Sequence, residues 1–504
     1  MTIPPVPDRR RRLATWIRGE SGVALVTVVA LTCAGLALRL LYLRAPIRGD
    51  EAFTYFFFAK RSWLGVMSAY DAPNNHILST LSIKAMTGLF GDDVTVMRAP
   101  ALLAGVLCIP LTYAVGRAYY GPIAGLVGAA VVATSPRLTL FSALARGYSF
   151  VVLATLLLML VAAMIRQRPS RARWGWFVVV AVLGVYTIPV MLYPLGGIVL
   201  WLALTAAVGD TPSPSRLAVG LAWAAGGIAI GVMVLYTPVI LACGIGCLVA
   251  NRYVRPMPWA IFGHDAPLHL WPTATTSVEG LAPALVWLLA AAALAAVIAQ
   301  RRVGRSRLHI GVVMVAWAVV LLVATHRVPP SRTWLYLIPV AAMSAGAGVQ
   351  LVMQSIPAGQ SAMLPVAAAM SVALAGCAGA SAVAHDFVLA DGEGASLPDA
   401  AAIAADLAPR LGARDVVLSA GEGYATLLYY FRAHQIGIRH LRPDLGLSGG
   451  TVYTVVVTGS LEPTPADVYA NLHVDTSAMT PPALYRQYVG ATVFISGSRA
   501  GSRP

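Results

Sequence analysis

The reading of this chain turns on one stretch, in which GVALVTVVALTCAGLALRLLYL (Gly22–Leu43) runs directly into RAPIRGDEAFTYFFF (Arg44–Phe58). The first part is apolar except for Arg39. It is long enough to cross a hydrocarbon core of about 30 Å and too long for the core of a secretory signal. No small-residue cleavage site precedes Arg44. Arg9 to Arg12 and Arg18 lie before it, so its N-terminus is expected in the cytoplasm. Arg39, near the far end, is expected to snorkel to the interface. The second part places two adjacent carboxylates, Asp50 and Glu51, between that span and an aromatic segment suited to the membrane boundary.

The composition extends this reading to the whole chain. Of 504 residues, 58% are hydrophobic and only 11% charged, with a mean hydropathy of +0.73. A soluble chain carries about 25% charged residues. A soluble or disordered protein is therefore excluded, and lipid is the solvent for most of the sequence. The net charge of +15 comes almost wholly from arginine, Lys60 and Lys84 being the two lysines. Most arginines stand in short loops between apolar runs, as an orientation signal does and a nucleic-acid surface does not. The five cysteines fall inside apolar runs. Cys243 and Cys247, four apart, read as packing residues.

Eleven apolar runs predict spans at about 22–43, 96–116, 120–134, 148–165, 174–188, 190–208, 217–248, 281–299, 308–325, 333–351 and 362–384. The run at 77–90 contains Lys84 and is too short to cross, so it predicts a helix lying at the interface. With 77–90 outside the count, the dense arginine loops around 166–173 and 301–307 fall on the cytoplasmic side. The loops holding Arg137 and Arg146, Arg252 and Arg255, and Arg327 and Arg332 fall outside, as does the C-terminus. The predicted architecture is an α-helical polytopic membrane protein of about 11 spans with a small C-terminal α/β extracytoplasmic domain. Its parts are a basic N-terminus (1–21), a membrane domain (22–385) whose first outer loop is 44–95, and an accessory domain (386–504).

The tail is mildly acidic. A linker over 384–398 with Gly392 and Gly394 precedes a predicted helix over 399–411 with Asp399 as a possible N-cap. A short strand at 416–418, a helix over 424–434 and a buried strand over 451–458 follow. The tail carries no dinucleotide-binding glycine motif, phosphate loop, nucleophile elbow or zinc-ligand spacing.

Five of the ten acidic residues before position 386 (Asp50, Glu51, Asp71, Asp92 and Asp93) lie in the loop after the first span. Carboxylates at a membrane boundary are costly and mark sites. Asp92 and Asp93 read as solvated. Asp50 and Glu51, held between apolar stretches, read as functional. Later outer rims supply cations and aromatics: Arg146 and Tyr148 at one, His326, Arg327 and Arg332 at another. An arginine fork grips phosphate oxygens at two points. A carboxylate able to take a hydroxyl proton, together with arginines able to hold a leaving phosphate, predicts group transfer from a lipid phosphate.

The order of these motifs resembles the GT-C membrane glycosyltransferases, in the branch of the protein O-mannosyltransferases and lipid A aminoarabinose transferases. It runs from Asp50-Glu51-Ala52 through Leu89-Phe90-Gly91, Met97-Arg98-Ala99-Pro100-Ala101-Leu102, Tyr113 to Gly121, and Ser135-Pro136 to Ala145-Arg146-Gly147-Tyr148. The segment Arg332-Thr333-Trp334-Leu335-Tyr336-Leu337-Ile338-Pro339 resembles a later arginine-tyrosine-to-proline segment of the same branch. The resemblance implies transfer of a sugar, with inversion, from a polyprenyl-phosphate donor to a glycan, lipid or protein hydroxyl on the outer face of a bacterial inner membrane. It implies Asp50 as the base, Glu51 as its orienting or acceptor-contacting partner, and Arg146 and Arg332 as contacts to the donor phosphate. Where the family often has a proline pair, this chain has Asn75-His76. Those two side chains read either as sugar or phosphate ligands or as a cap on the helix that starts at Ile77. No cofactor is expected, and no metal cage is seen, although a divalent metal stays open because metal use varies in the family. Two other classes stand beside this one. A transporter or flippase would want charged or broken helices at the midplane and a repeat between halves. A non-catalytic scaffold would tolerate loss of the carboxylate at position 50.

Overall fold

The computed structural model describes residues 21–249, 254–356, 360–390, 397–441, 449–477 and 479–497. The basic N-terminus with its Arg9 to Arg18 cluster, Arg252, Gly392 and Gly394 lie outside these residues.

The main helices in chain order are α1 (Gly22–Tyr42), α2 (Gly49–Thr54), α3 (Ile77–Phe90), α4 (Val94–Tyr119), α5 (Pro122–Thr134), α6 (Pro136–Ser142), α7 (Tyr148–Gln167), α8 (Arg171–Thr187), α9 (Leu192–Ala207) and α10 (Pro214–Cys243). They continue with α11 (Trp259–Ser277), α12 (Pro283–Ile298), α13 (Ile310–Thr325), α14 (Leu337–Gln354), α15 (Gln360–Ala384), α16 (Ala400–Leu407), α17 (Glu422–Ala433) and α18 (Pro465–Asn471). The strands are β1 (Val416–Ser419), β2 (Thr451–Val457), β3 (Ala483–Gln487) and β4 (Ala491–Gly497). Each of the eleven apolar runs is helical. Among the described residues, seven helices are long and apolar enough to cross a membrane, and an eighth candidate is the bent pair α5–α6.

The chain divides into two compact units. One, the membrane unit, comprises residues up to 43, 76–79 and 98–388. At its centre α5 packs against α1, α14 and α15, α14 packs against α12, and α9 packs against α13. Small residues bring backbones together, as helices without a hydrophobic drive between them require. A Cβ on Gly116 of α4 would stand 2.7 Å from Gly125 Cα of α5.

The run predicted as a span at 120–134 is the single helix α5, and just beyond it, where a loop was expected, the chain breaks into a second helix, α6. Ser135 caps a new helix, its Oγ accepting the Leu138 N–H, and Pro136 fits that helix's first turn because its missing N–H has no helical partner there. Between them α5 and α6 turn by 62°. The break explains a second departure from expectation. Arg39 does not snorkel: it is 0% exposed. Its guanidinium donates to the Val132 and Ala133 carbonyls (3.0 and 2.8 Å), to Gly35 O one turn back (2.9 Å), and to Ser142 Oγ of α6 (3.1 Å). A helix C-terminus leaves carbonyls without partners and carries partial negative charge. In the membrane interior water cannot satisfy them, so Arg39 does, holding both arms of the bend.

Three smaller differences follow from local chemistry. The run at 217–248 ends at Cys243, where Gly244 takes a positive φ of 80°. Cys243 and Cys247, read as packing thiols, are joined as a disulfide. Helix α11 lies where the sequence predicted only a loop, with Pro267 and Pro272 inside it.

The second unit comprises residues 44–75, 80–97 and 389 onward. Its sheet has the order β1-β2-β4-β3, with β1 parallel to β2 and the other pairs antiparallel. One face is covered by α16 and α17 through Ile403, Leu407, Leu427 and Phe431 packed on Val417, Val455 and Val493. The other is covered by α18 through Val468 and Tyr469 packed with Val416, Leu418 and Val456. With both faces buried, β1 and β2 read as continuous apolar runs rather than alternating ones. The α/β class predicted for the tail holds. The helix expected over 399–411 is shorter, however, and Asp399 does not cap it: its carboxylate accepts the Gly490 N–H instead.

The loop after α1 belongs to this same unit. Helix α2 packs against α17, Tyr430 Oη accepts the Ile47 N–H (3.4 Å), and the Phe57 and Tyr424 rings lie 6.5 Å apart. Asp92 bridges Lys60 (2.7 Å) and Arg432 (3.1 Å).

Candidate functional site

The candidate residues fall into two groups, one in each unit. In the second unit, Asp50 and Glu51 occupy the first turn of α2, where carboxylates favour the partial positive charge of a helix start. Their environments differ. Glu51 is 1% exposed, and its Oε2 accepts the Arg48 N–H at 3.0 Å, tying the entry of α2 to its first turn. That bond gives Glu51 a structural task. Asp50 is half-buried, and its Oδ1 accepts from the Asn74 amide at 2.9 Å. Thr54 Oγ1 binds both the Asp50 carbonyl (2.8 Å) and the Asn74 carbonyl (3.3 Å), fixing α2 to the loop before α3. Asn74 thus orients the Asp50 carboxylate, a role that the resemblance gave to Glu51.

Asn75 does not cap α3. Its side-chain amide donates to the Val66 and Ala69 carbonyls (2.9 and 2.7 Å), closing the loop, while its Oδ1 is buried without a hydrogen-bond donor.

In the membrane unit the segment between α6 and α7 carries Arg146 and Gly147, and Tyr148 opens α7, all three buried. His76 is buried with them, and its Nδ1 accepts the Gly147 N–H at 3.0 Å. This close approach needs a glycine: a Cβ at Gly147 would stand 3.0 Å from His76 Cβ, 3.2 Å from Nδ1 and 2.8 Å from Thr187 Cγ2. The His76 and Tyr148 rings meet edge-on at 5.2 Å. Tyr148 Oη in turn accepts from Arg332 Nε at 2.9 Å, with the Arg332 guanidinium 5.9 Å from the Tyr148 ring centre. Burial, and then the positive charges of Arg146 and Arg332, hold the His76 imidazole well below its ordinary pKa of 6.5, so it is neutral. The structure therefore joins His76, Tyr148 and Arg332 by direct contacts, with Arg146 in the same segment.

Arg137, which the sequence marks only as a loop charge, is 3% exposed. It donates to Ser331 Oγ at 2.7 Å, tying α6 to the turn that carries Arg332. Its proximity is not readable from spacing, because 194 residues separate the two.

His326 is engaged elsewhere. It ends α13 in the left-handed conformation (φ 50°), its ring lies 3.8 Å from Trp259 and 5.7 Å from Phe262, and its carbonyl accepts the Met257 N–H. None of its contacts is with His76, Tyr148 or Arg332. Its neighbour Arg327 is half-buried. Among the described residues, no three His, Cys, Asp or Glu side chains converge as metal ligands.

Comparison with known proteins agrees with this architecture. Residues 75–241 match the family described as dolichyl-phosphate-mannose-protein mannosyltransferase. The fold is similar to ArnT from Cupriavidus metallidurans in the apo state (TM-score 0.61, 13% identity, covering 93% of this chain and 97% of that one). The same protein bound to undecaprenyl phosphate gives a TM-score of 0.59 at 13% identity, with 94% and 98% covered. The oligosaccharyltransferase of Archaeoglobus fulgidus, solved with Zn and sulfate, gives 0.51 at 13% identity, with 76% of this chain and 55% of that one covered. No curated protein sequence matches the chain significantly. The chain thus has the ArnT-like fold of the GT-C glycosyltransferases, as its motif order led one to expect, and it is a multi-pass membrane protein.

Proposed function

We propose that this protein is an inverting membrane glycosyltransferase that takes a sugar from a polyprenyl-phosphate donor and passes it to a hydroxyl on the outer face of a bacterial inner membrane. The observation that carries this reading is the set of buried Arg146, Tyr148 and His76 with half-buried Arg332, rich in hydrogen-bond donors, on a fold whose neighbour ArnT was solved with undecaprenyl phosphate. In the proposed reaction the Asp50 carboxylate takes the acceptor's hydroxyl proton as that oxygen bonds to the anomeric carbon. The bond from that carbon to the phosphate oxygen breaks, and its electron pair leaves with the polyprenyl phosphate. Arg146 and Arg332 stabilise the charge that grows on the departing oxygen. Glu51 keeps α2 in place beneath the base. The C-terminal α/β segment, packed with the Asp50 loop, serves as its support.

The test is binding of undecaprenyl phosphate to the purified protein in nanodiscs by native mass spectrometry. Wild type is expected to retain the lipid phosphate. Arg332→Lys is expected to weaken retention about tenfold or more, because a lysine cannot supply the fork and also loses the Nε–H that orients Tyr148. Absence of binding by wild type refutes the donor class. Unchanged binding by Arg332→Lys refutes the phosphate role of Arg332.

A further inference from the structure

The hydrogen bonds around Gly147 fix more than proximity. A neutral imidazole has one nitrogen that donates and one that accepts. His76 Nδ1 already accepts the Gly147 N–H, so the proton of the neutral ring must sit on Nε2. Among the described residues of the membrane unit, no acceptor hydrogen-bonds to that Nε2–H. Tyr148 Oη is in the same state. It accepts from Arg332 Nε, which leaves its own O–H to donate, and no described side chain of the unit takes that proton either. Two donors on buried residues are therefore unspent, in contact through their rings, beside the Arg332 guanidinium and under the positive charge of Arg146. Donors held in place in this way, next to positive charge, point to an acceptor as their partner. The missing partner is a group with acceptors only, and a phosphate monoester or diester oxygen has that character.

We propose that His76 binds the donor's phosphate as a neutral Nε2–H donor, paired with the Tyr148 hydroxyl, in a tautomer set by the backbone N–H of Gly147. The inference rests on the lipid-phosphate reading above and names the groups that carry it out. The imidazole does not act as a third cation. Burial and the charges of Arg146 and Arg332 oppose its protonation, so the site gains a directional donor without added like-charge repulsion. Gly147 is the positioning residue, since a side chain there would displace the His76 ring.

Two measurements test the proposal. The first uses side-chain amides as stand-ins for the two ring nitrogens. In His76→Gln the amide reaches the place of Nε2 and can still donate. In His76→Asn the shorter side chain can keep the acceptor for Gly147 and loses the Nε2 donor. In nanodiscs, His76→Gln is expected to hold undecaprenyl phosphate within about threefold of wild type, and His76→Asn to lose about tenfold or more, with unfolding temperatures of both close to wild type. The reverse order, or equal binding by both, overturns the proposal and leaves His76 as a cap for the Gly147 segment. The second measurement needs no variant to fold. Solid-state NMR of full-length protein labelled with ¹⁵N-histidine in liposomes should show His76 with a bare Nδ1 and a protonated Nε2 at pH 7. Adding inorganic phosphate should then shift the Nε2 signal. An imidazolium, a protonated Nδ1, or an Nε2 signal indifferent to phosphate refutes the donor role. If that signal does shift while undecaprenyl phosphate fails to bind wild type, the lipid-donor reading fails and the anion-binding role of His76 survives it.

Discussion

Replacing Arg39 by lysine separates charge from geometry inside the membrane unit. Arginine makes four hydrogen bonds there, from three nitrogens, to the Val132, Ala133 and Gly35 carbonyls and to Ser142 Oγ. A lysine ammonium is one point, and its donors cannot span the end of α5 and a residue of α6 together. It keeps the full cost of burying a cation and gives up at least two of the four bonds. Charged hydrogen bonds are each worth about 1.5–3 kcal/mol in soluble proteins, and interhelical ones in membranes often less, about 0.6–2. Two lost bonds thus cost about 1–6 kcal/mol, and we expect about 2–4. Arg39→Met also leaves the Val132 and Ala133 carbonyls unpaired, yet it removes the buried charge, so it should cost less than the lysine. The assay is equilibrium unfolding by SDS in mixed micelles, followed by tryptophan fluorescence. Arg39→Lys as stable as wild type, or more stable than Arg39→Met, would refute the claim that the guanidinium fork holds the 62° bend.

Other outcomes follow from the same contacts. A His76 pKa held below 6.5 in the fold means that the unfolded chain takes up a proton first as pH falls. Stability present above about pH 6.5 is therefore lost below it, and unfolding temperatures at about pH 7.5 and about pH 5.5 should differ more for wild type than for His76→Gln. Gly147→Ala places a methyl group within 2.8–3.2 Å of Thr187 and His76. Overpacking of that kind costs about 1–3 kcal/mol, and the unfolding temperature should fall together with retention of undecaprenyl phosphate.

Much of the membrane architecture is legible in the sequence because lipid leaves few choices: a long apolar run must be a helix. What stays hidden depends on partners far away along the chain. Arg39 looks like an interfacial arginine because nothing near it announces the open carbonyls of Val132 and Ala133, more than ninety residues on. The break itself is signalled by Ser135-Pro136, a capping residue followed by a proline suited to a first helical turn. Helix α11 escapes the hydropathy pattern because Pro267, Pro272, His264 and His269 interrupt it. Strand β3 is short, edge-placed and largely exposed, so it has little periodic signal. Strand β4, with Thr492, Val493, Phe494 and Ile495, does carry one in its β-branched and aromatic residues. At the site, Arg146, Tyr148, Arg332 and His76 all stand out by residue type and position. Asn74 does not, because only the fold shows its amide on Asp50. His326 groups with Arg332 on nearness in sequence, whereas its ring packs on Trp259.

The most direct measurement is the Asp50-dependent release of free polyprenyl phosphate. Purified protein would be reconstituted with lipid-linked sugars and acceptors extracted from cell envelopes, and the products followed by mass spectrometry, which identifies the transferred sugar by its mass in the same experiment. Wild type should convert sugar-linked polyprenyl phosphate to the free lipid phosphate, and Asp50→Asn, equally folded and still binding undecaprenyl phosphate, should not. Equal release by Asp50→Asn, or no release by wild type, would contradict the account.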